Sequence, residues 1–189
     1  GRDYTGEADP ALGNIAGLRR LAGDPVATAA KRLAKGEIGA VYTGRMEYGP
    51  RALGARSILA NPSRRETHDL LNQRLDRTEF MPFAPVVAAE KAAEVFDVNS
   101  VNGYACRFMT ITCDVHPAWR ERIAAVVHVD GSARPQTIER AANPLYYDLV
   151  AGFERETGIP VLVNTSFNVH EEPIVNTPRE CAQALLDKR

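Results

Sequence analysis

The stretch Gly44-Arg45-Met46-Glu47-Tyr48-Gly49-Pro50-Arg51-Ala52-Leu53-Gly54-Ala55-Arg56 sets three arginines around one carboxylate, in a segment broken by glycine and proline. Such a segment is a loop rather than a helix, and ordering a loop costs chain entropy, which points to a purpose. Guanidinium groups grip phosphate or carboxylate through paired hydrogen bonds that lysine cannot reproduce. The glycines would also let backbone N–H groups approach an anion closely. These residues predict an anion-binding loop, with a phosphorylated small molecule as its ligand. The plain alternative is a solvated loop held by local salt bridges. The charge pattern argues against it: from Tyr48 to Arg65 there are four arginines and no Asp or Glu.

Two further polar clusters have the same character. One is His128-Val129-Asp130-Gly131-Ser132-Ala133-Arg134-Pro135-Gln136, and the other runs from Asn164 through Thr165, Ser166, Phe167 and Asn168 to Pro173. All three clusters sit at the ends of predicted strands, where ligands of open sheets bind. Their convergence would bring Arg51, Arg134 and Ser166 to one pocket. Guanidiniums, carboxamides and hydroxyls together suit a ligand with phosphate oxygens and an amide-like group. Alternation along a strand would put His128 and Asp130 on one face, as a structural hydrogen-bonded pair beside the site. No third group has matching ligand spacing, so no metal is expected in this chain. Asn164–Asn168 reads either as a polar turn or as ligand contact. Ser166 lacks a Gly-x-Ser-x-Gly setting and is read as a hydrogen-bonding group, not a nucleophile. Arg77 and Glu79, just ahead of the packing run Phe80–Pro85, are candidates to reach the pocket.

The elements that must hold these clusters are legible in outline. Asp24 caps a helix from Pro25 to about Lys35, stopped by Gly36. Strands are predicted at Ile38–Tyr42, Ser57–Ala60, Met81–Val87, Tyr104–Cys113, Ala125–Asp130 and Ile159–Asn164, the last as a buried central strand. Ser63-Arg64-Arg65-Glu66 and Thr177-Pro178-Arg179-Glu180 read as capping boxes opening helices. In the first of these, Leu70, Leu71 and Leu75 would form the core stripe. Further helices are predicted at Ala89–Phe96 and from Asn143-Pro144 to before Gly158, with a short helix or turn at His116–Arg122. Interleaved strands and helices imply an α/β or α+β domain with a mixed, twisted sheet. The 189 residues suit one domain, and 44% hydrophobic and 25% charged content is that of an ordinary globular chain. A net charge of −1 gives no global field to attract nucleic acid or membrane. No apolar run is long enough to span a bilayer and no signal peptide is visible. Cys106, Cys113 and Cys181 have no metal-ligand spacing and read as buried free thiols. On one strand, Cys106 and Cys113 would face opposite sides.

The arginine loop through Leu59, Met81-Pro82-Phe83-Ala84-Pro85, the His128–Gln136 cluster and Asn164–Asn168 occur in that order. In this the chain resembles the C-terminal domain of the O-carbamoyltransferases that include nodulation protein U and the cephamycin and aminoglycoside carbamoyltransferases. The resemblance covers about Gly36 to Arg189. It implies a YrdC-like α/β domain with a twisted mixed open sheet and flanking helices over residues 25–189, truncated at its C-terminal end. Residues 1–24 would be an irregular lead-in from an N-terminal Kae1-like domain. That partner domain would hold the metal and transfer the carbamoyl group to an alcohol. The domain read here would bind carbamoyl phosphate and the co-substrate ATP and form carbamoyl-adenylate. Carried over by position, Arg51, Arg134 and Ser166 would hold carbamoyl phosphate, and Arg45, Arg56 and Asn164 would line the same cavity. Arg77 would take a cationic role that many members give to a lysine, and His128 and Asn168 complete the substrate-binding set. The expected setting is cytoplasmic, without membrane or nucleic acid. The alternative is a non-catalytic nucleotide- or RNA-binding module of the same fold.

Overall fold

The computed structural model describes residues 3–4, 15–75, 82–168 and 172–187. Two short strands, β1 (Asp3–Tyr4) and β2 (Arg19–Arg20), pair in parallel. Helix α1 (Pro25–Ala34) begins where the Asp24 carboxylate accepts from the N–H groups of Val26 and Ala27, and ends before Gly36 at φ +88°. Next come β3 (Gly39–Tyr42), β4 (Arg56–Ala60), α2 (Glu66–Arg74) and β5 (Ala84–Ala88). Then follow α3 (Ala92–Val95), α4 (Gly103–Cys106), β6 (Cys113–Asp114), α5 (Pro117–Arg120), β7 (Ser132–Ala133), β8 (Gln136–Ile138), α6 (Pro144–Thr157), β9 (Val161–Ser166) and α7 (Pro178–Leu186).

The main sheet has the order β3-β4-β9-β5-β8. It is mixed: β9 runs antiparallel to both β4 and β5, while β5 and β8 are parallel. The apolar run ending in Asn164 is thus the central strand, as expected. Its side chains alternate between two cores. Val161 and Val163 join Ile58, Val87, Phe96, Ile123 and Phe167 on one face. Leu162 joins Leu59, Val86, Tyr146 and Phe153 on the other, beneath α1 and α6. These two helices approach closely at Gly152, where a Cβ would stand 3.1 Å from that of Ala30.

Several expectations fail locally. Tyr104–Cys113 is not a strand. The carboxamides of Asn99 and Asn102 accept from nearby backbone N–H groups, Thr110 donates to the Ala105 carbonyl, and Met109 takes φ +53°. These local bonds fold the segment into α4 and turns. Cys106 and Cys113 therefore do not face apart: both are buried, with Sγ atoms 3.5 Å from each other. Burial, then the neighbouring thiol, pushes Cys113 up to about 12. Ala125–Asp130 is a 3-10 turn over Ala124–Val126 followed by a tight turn, not a strand. The box at Ser63 does not form, because the Ser63 N–H is bound by Asn61 Oδ1 and α2 starts at Glu66 without a side-chain cap. Leu70 is exposed, whereas Leu71 and Leu75 are buried. At Thr177 the capping box is complete. No helix among the described residues is long and apolar enough to cross a membrane.

Candidate functional site

The strand register brings five strand ends to one edge of the sheet. Tyr42 at the end of β3 faces Arg56 at the start of β4, and Ser57 faces Ser166 at the end of β9. Ala84, opening β5, faces Asn164, and β8 opens at Gln136 directly after Arg134 and Pro135. Here a cavity of about 100 Å³ is lined by Arg51, Phe83, Met109, Arg134, Asn164 and Ser166, among others. Arg51, Arg134 and Ser166 thus share one cavity.

The loop that carries Arg51 is fixed through its backbone. Asn164 Nδ2 donates to the Ala52 carbonyl at 3.0 Å and to Gln136 Oε1 at 2.7 Å. Gln136 Nε2 donates to the Leu53 carbonyl at 2.8 Å. On the donor side, Glu47 Oε1 accepts from the N–H groups of Leu53 and Ala55 at 2.7 and 2.6 Å, and Ser57 Oγ accepts from Gly54 at 3.0 Å. The N–H groups of Leu53, Gly54 and Ala55 are therefore already bound within the loop and are not free to meet an anion. Glu47 braces the loop instead of neutralising its arginines. Gly54, at φ +114°, lies flat on the ring of Tyr146, and an added Cβ would come within 2.2 Å of that ring.

The arginines divide by role. Arg56 is buried: Nη1 donates to the Thr43 and Ala55 carbonyls, Nη2 to Gly44, and the guanidinium stacks 3.8 Å from the Tyr42 ring centroid. It ties the two ends of the loop together and does not line the cavity. Arg45 is exposed and also lies outside the lining. Arg51 makes no hydrogen bond or ion pair among the described residues, and Arg134 has a buried Nε without a partner. Burial, and then the Arg51 guanidinium, pull Arg134 below the usual guanidinium range. Two cations thus face one cavity with no carboxylate among its described lining residues.

The remaining expected residues sit around this pair. His128 is half-buried; its Nδ1 lies 3.0 Å from Ser132 Oγ, so its partner is Ser132 and not Asp130. Asp130 accepts from the Ser132 N–H, which holds its carboxyl below the usual range. Burial lowers His128, Asp130 opposes that, and Arg134 lowers it further. Ser166 Oγ donates to Asn168 Oδ1 at 2.5 Å, and Asn168 Nδ2 donates to the Glu172 carbonyl. Asn168 lines a neighbouring groove of about 350 Å³ with Ile58, Phe167, Val175 and Glu180. That groove is apolar, with the carboxylates of Glu172, Glu180 and Asp187 and no cation among its described lining residues. Arg77 and Glu79 lie outside the described residues. Among those described, no three His, Cys, Asp or Glu side chains cluster as a metal site requires. Gln136 and Glu47 were not expected to matter individually. Gln136 belongs to a quoted cluster, and Glu47 is the one carboxylate in a cationic loop, which was the available signal.

Residues 30–189 match the family described as "Carbamoyltransferase C-terminus". The chain belongs to this family. This carbamoyltransferase C-terminal domain is 39% identical over 164 residues to nodulation protein NolO of Bradyrhizobium diazoefficiens, covering 86% of the chain and 30% of NolO. It is 44% identical over 136 residues to nodulation protein U of Azorhizobium caulinodans, covering 72% of the chain and 24% of that protein. Its fold matches that of HypF from T. kodakarensis, with a TM-score of 0.63 at 20% identity, over 89% of this chain and 20% of HypF. The domain thus spans less than a third of the length of these proteins.

Proposed function

We propose that this carbamoyltransferase domain binds carbamoyl phosphate with ATP and forms carbamoyl-adenylate, for transfer to an alcohol by a further domain of the same polypeptide. The carrying observation is the unneutralised Arg51–Arg134 pair over one cavity that also presents Asn164 and Ser166. In the first step, carbamoyl phosphate loses its phosphate to water and leaves carbamate. In the second, a carbamate oxygen attacks the α-phosphorus of ATP, and the bond to pyrophosphate breaks. Both steps crowd anions together, and guanidiniums fixed in place before reaction offset that repulsion. A cavity of about 100 Å³ fits the small acyl phosphate. ATP is larger and extends beyond it. Carbamate decomposes in water, so a closed site protects it.

One observation favours the second reading, an RNA-binding module. Tyr48 stands fully exposed at 108% between Arg45 and Arg51, an aromatic of the kind on which bases stack. Isothermal titration of the chain with carbamoyl phosphate, ATP and a short RNA separates the two. Heat from carbamoyl phosphate that strengthens with ATP is expected. Heat from RNA alone would overturn the proposal.

A further inference from the structure

Every polar atom of the two carboxamides behind the cavity has a determined direction. The Leu53 carbonyl is only an acceptor, so the Gln136 atom facing it is Nε2 and Gln136 Oε1 points to Asn164. The Ala52 carbonyl is also only an acceptor, so the Asn164 atom facing it and Gln136 is Nδ2. Asn164 cannot flip without setting an oxygen against two others. Its Oδ1 is left over. Asn164 is 1% exposed, lines the cavity, and its Oδ1 has no hydrogen-bond partner among the described residues. A buried acceptor with no donor is costly and is rarely left in a native structure without a reason.

The same cavity shows the opposite lack at Arg134, whose buried Nε is a donor with no acceptor. A bare anion satisfies the donor and leaves the acceptor empty. A ligand that satisfies both carries anionic oxygens and an N–H group a few atoms apart. We infer that Asn164 Oδ1, aimed by Gln136, is the specificity determinant that selects a carbamoyl group over other acyl groups on the phosphate. This rests on the reading of the cavity as a carbamoyl phosphate site. Carbamoyl and acetyl phosphate have nearly the same shape and the same charged end; they differ in NH2 against CH3. The amino group donates to Oδ1. The methyl group leaves Oδ1 without a donor, and a site built around a polar contact rejects the analogue that lacks it. Gln136 is a positioning residue: it touches no ligand, and holds the Asn164 amide in the one orientation that presents oxygen.

The test compares three probes on the unaltered chain by isothermal titration: carbamoyl phosphate, acetyl phosphate and inorganic phosphate. The expected result is measurable binding of all three, with carbamoyl phosphate tighter than acetyl phosphate by about ten- to a hundredfold. Equal affinity for the two acyl phosphates overturns the inference while the anion site stands. No binding of any probe overturns the anion site itself, and the inference with it. Gln136→Met gives the positioning readout: inorganic phosphate affinity is kept, and the carbamoyl-to-acetyl ratio falls toward one. A folded Gln136→Met chain with an unchanged ratio removes Gln136 from the account. If that variant does not fold, the ligand series alone decides.

Discussion

Arg51 and Arg56 leave the same loop and do opposite jobs, and their surroundings show why. Arg51 is exposed with no partner among the described residues, so nothing in the fold depends on it. Arg51→Lys should leave the melting temperature unchanged while weakening carbamoyl phosphate binding by about 1.5–3 kcal/mol, because a point charge cannot make the forked contact. Unchanged affinity by titration would remove Arg51 from the site. Arg56 satisfies three carbonyls and covers Tyr42. Arg56→Ala should cost about 2–4 kcal/mol in denaturant unfolding, since those carbonyls lose their donor in a buried place. The sequence places both arginines in one cationic loop; only the packing tells the ligand-facing one from the structural one. His128 adds a pH dependence. Its folded pKa is lowered from 6.5, first by burial and also by Arg134. The unfolded chain therefore takes up this proton first, and stability falls as the pH drops from the unfolded value to the folded one. An anion bound at Arg134 cancels part of that charge, so carbamoyl phosphate should raise the His128 pKa. An NMR titration of the ring that is identical with and without ligand would show that the anion does not sit at Arg134.

At the level of elements, what was legible is what local pattern determines. The apolar run of β9, the Asp24 and Asn143 caps and the box at Thr177 all form, because each involves residues a few positions apart. Tyr104–Cys113 was misread because β-forming side chains are outvoted there by Asn99, Asn102 and Thr110 bonding to nearby backbone. Such bonds leave no mark on propensity. Nor does a strand's alternation show which helix will cover it. Gly54 is the case where loop and helix meet: its φ of +114° and the Tyr146 ring both exclude a side chain. Gly54→Ala should cost more than about 3 kcal/mol, as strain and clash add. An alanine variant within 1 kcal/mol of the parent by chemical denaturation, on the scale of an ordinary surface change, would mean that the loop–helix contact is not as tight as described.

For the whole molecule, four motifs in order were enough to place the chain among the carbamoyltransferases, and the convergence of its strand ends follows from the sheet order. What escaped the sequence was the Asn164–Gln136–Leu53 chain of hydrogen bonds, whose members are separated by 28 and 83 positions. Such pairs become visible only when β9, β8 and the loop are brought together. Size sets the last expectation. Ligand cavities for drug-sized molecules usually occupy about 300–1,000 Å³. The cationic cavity here holds about 100 Å³, enough for an acyl phosphate and too little for ATP. The relatives are more than three times as long as the chain's match to them, so walls that would enclose a nucleotide and an acceptor alcohol are expected from the rest of such a polypeptide. The 189-residue chain, incubated with ATP, labelled carbamoyl phosphate and a simple alcohol, should bind the acyl phosphate and release no carbamoylated alcohol. Adding divalent metal should not change that if, as proposed, the transfer step belongs to a further domain. Steady formation of carbamoylated alcohol by this chain alone would end the division of labour between the two domains and place the whole reaction at Arg51 and Arg134.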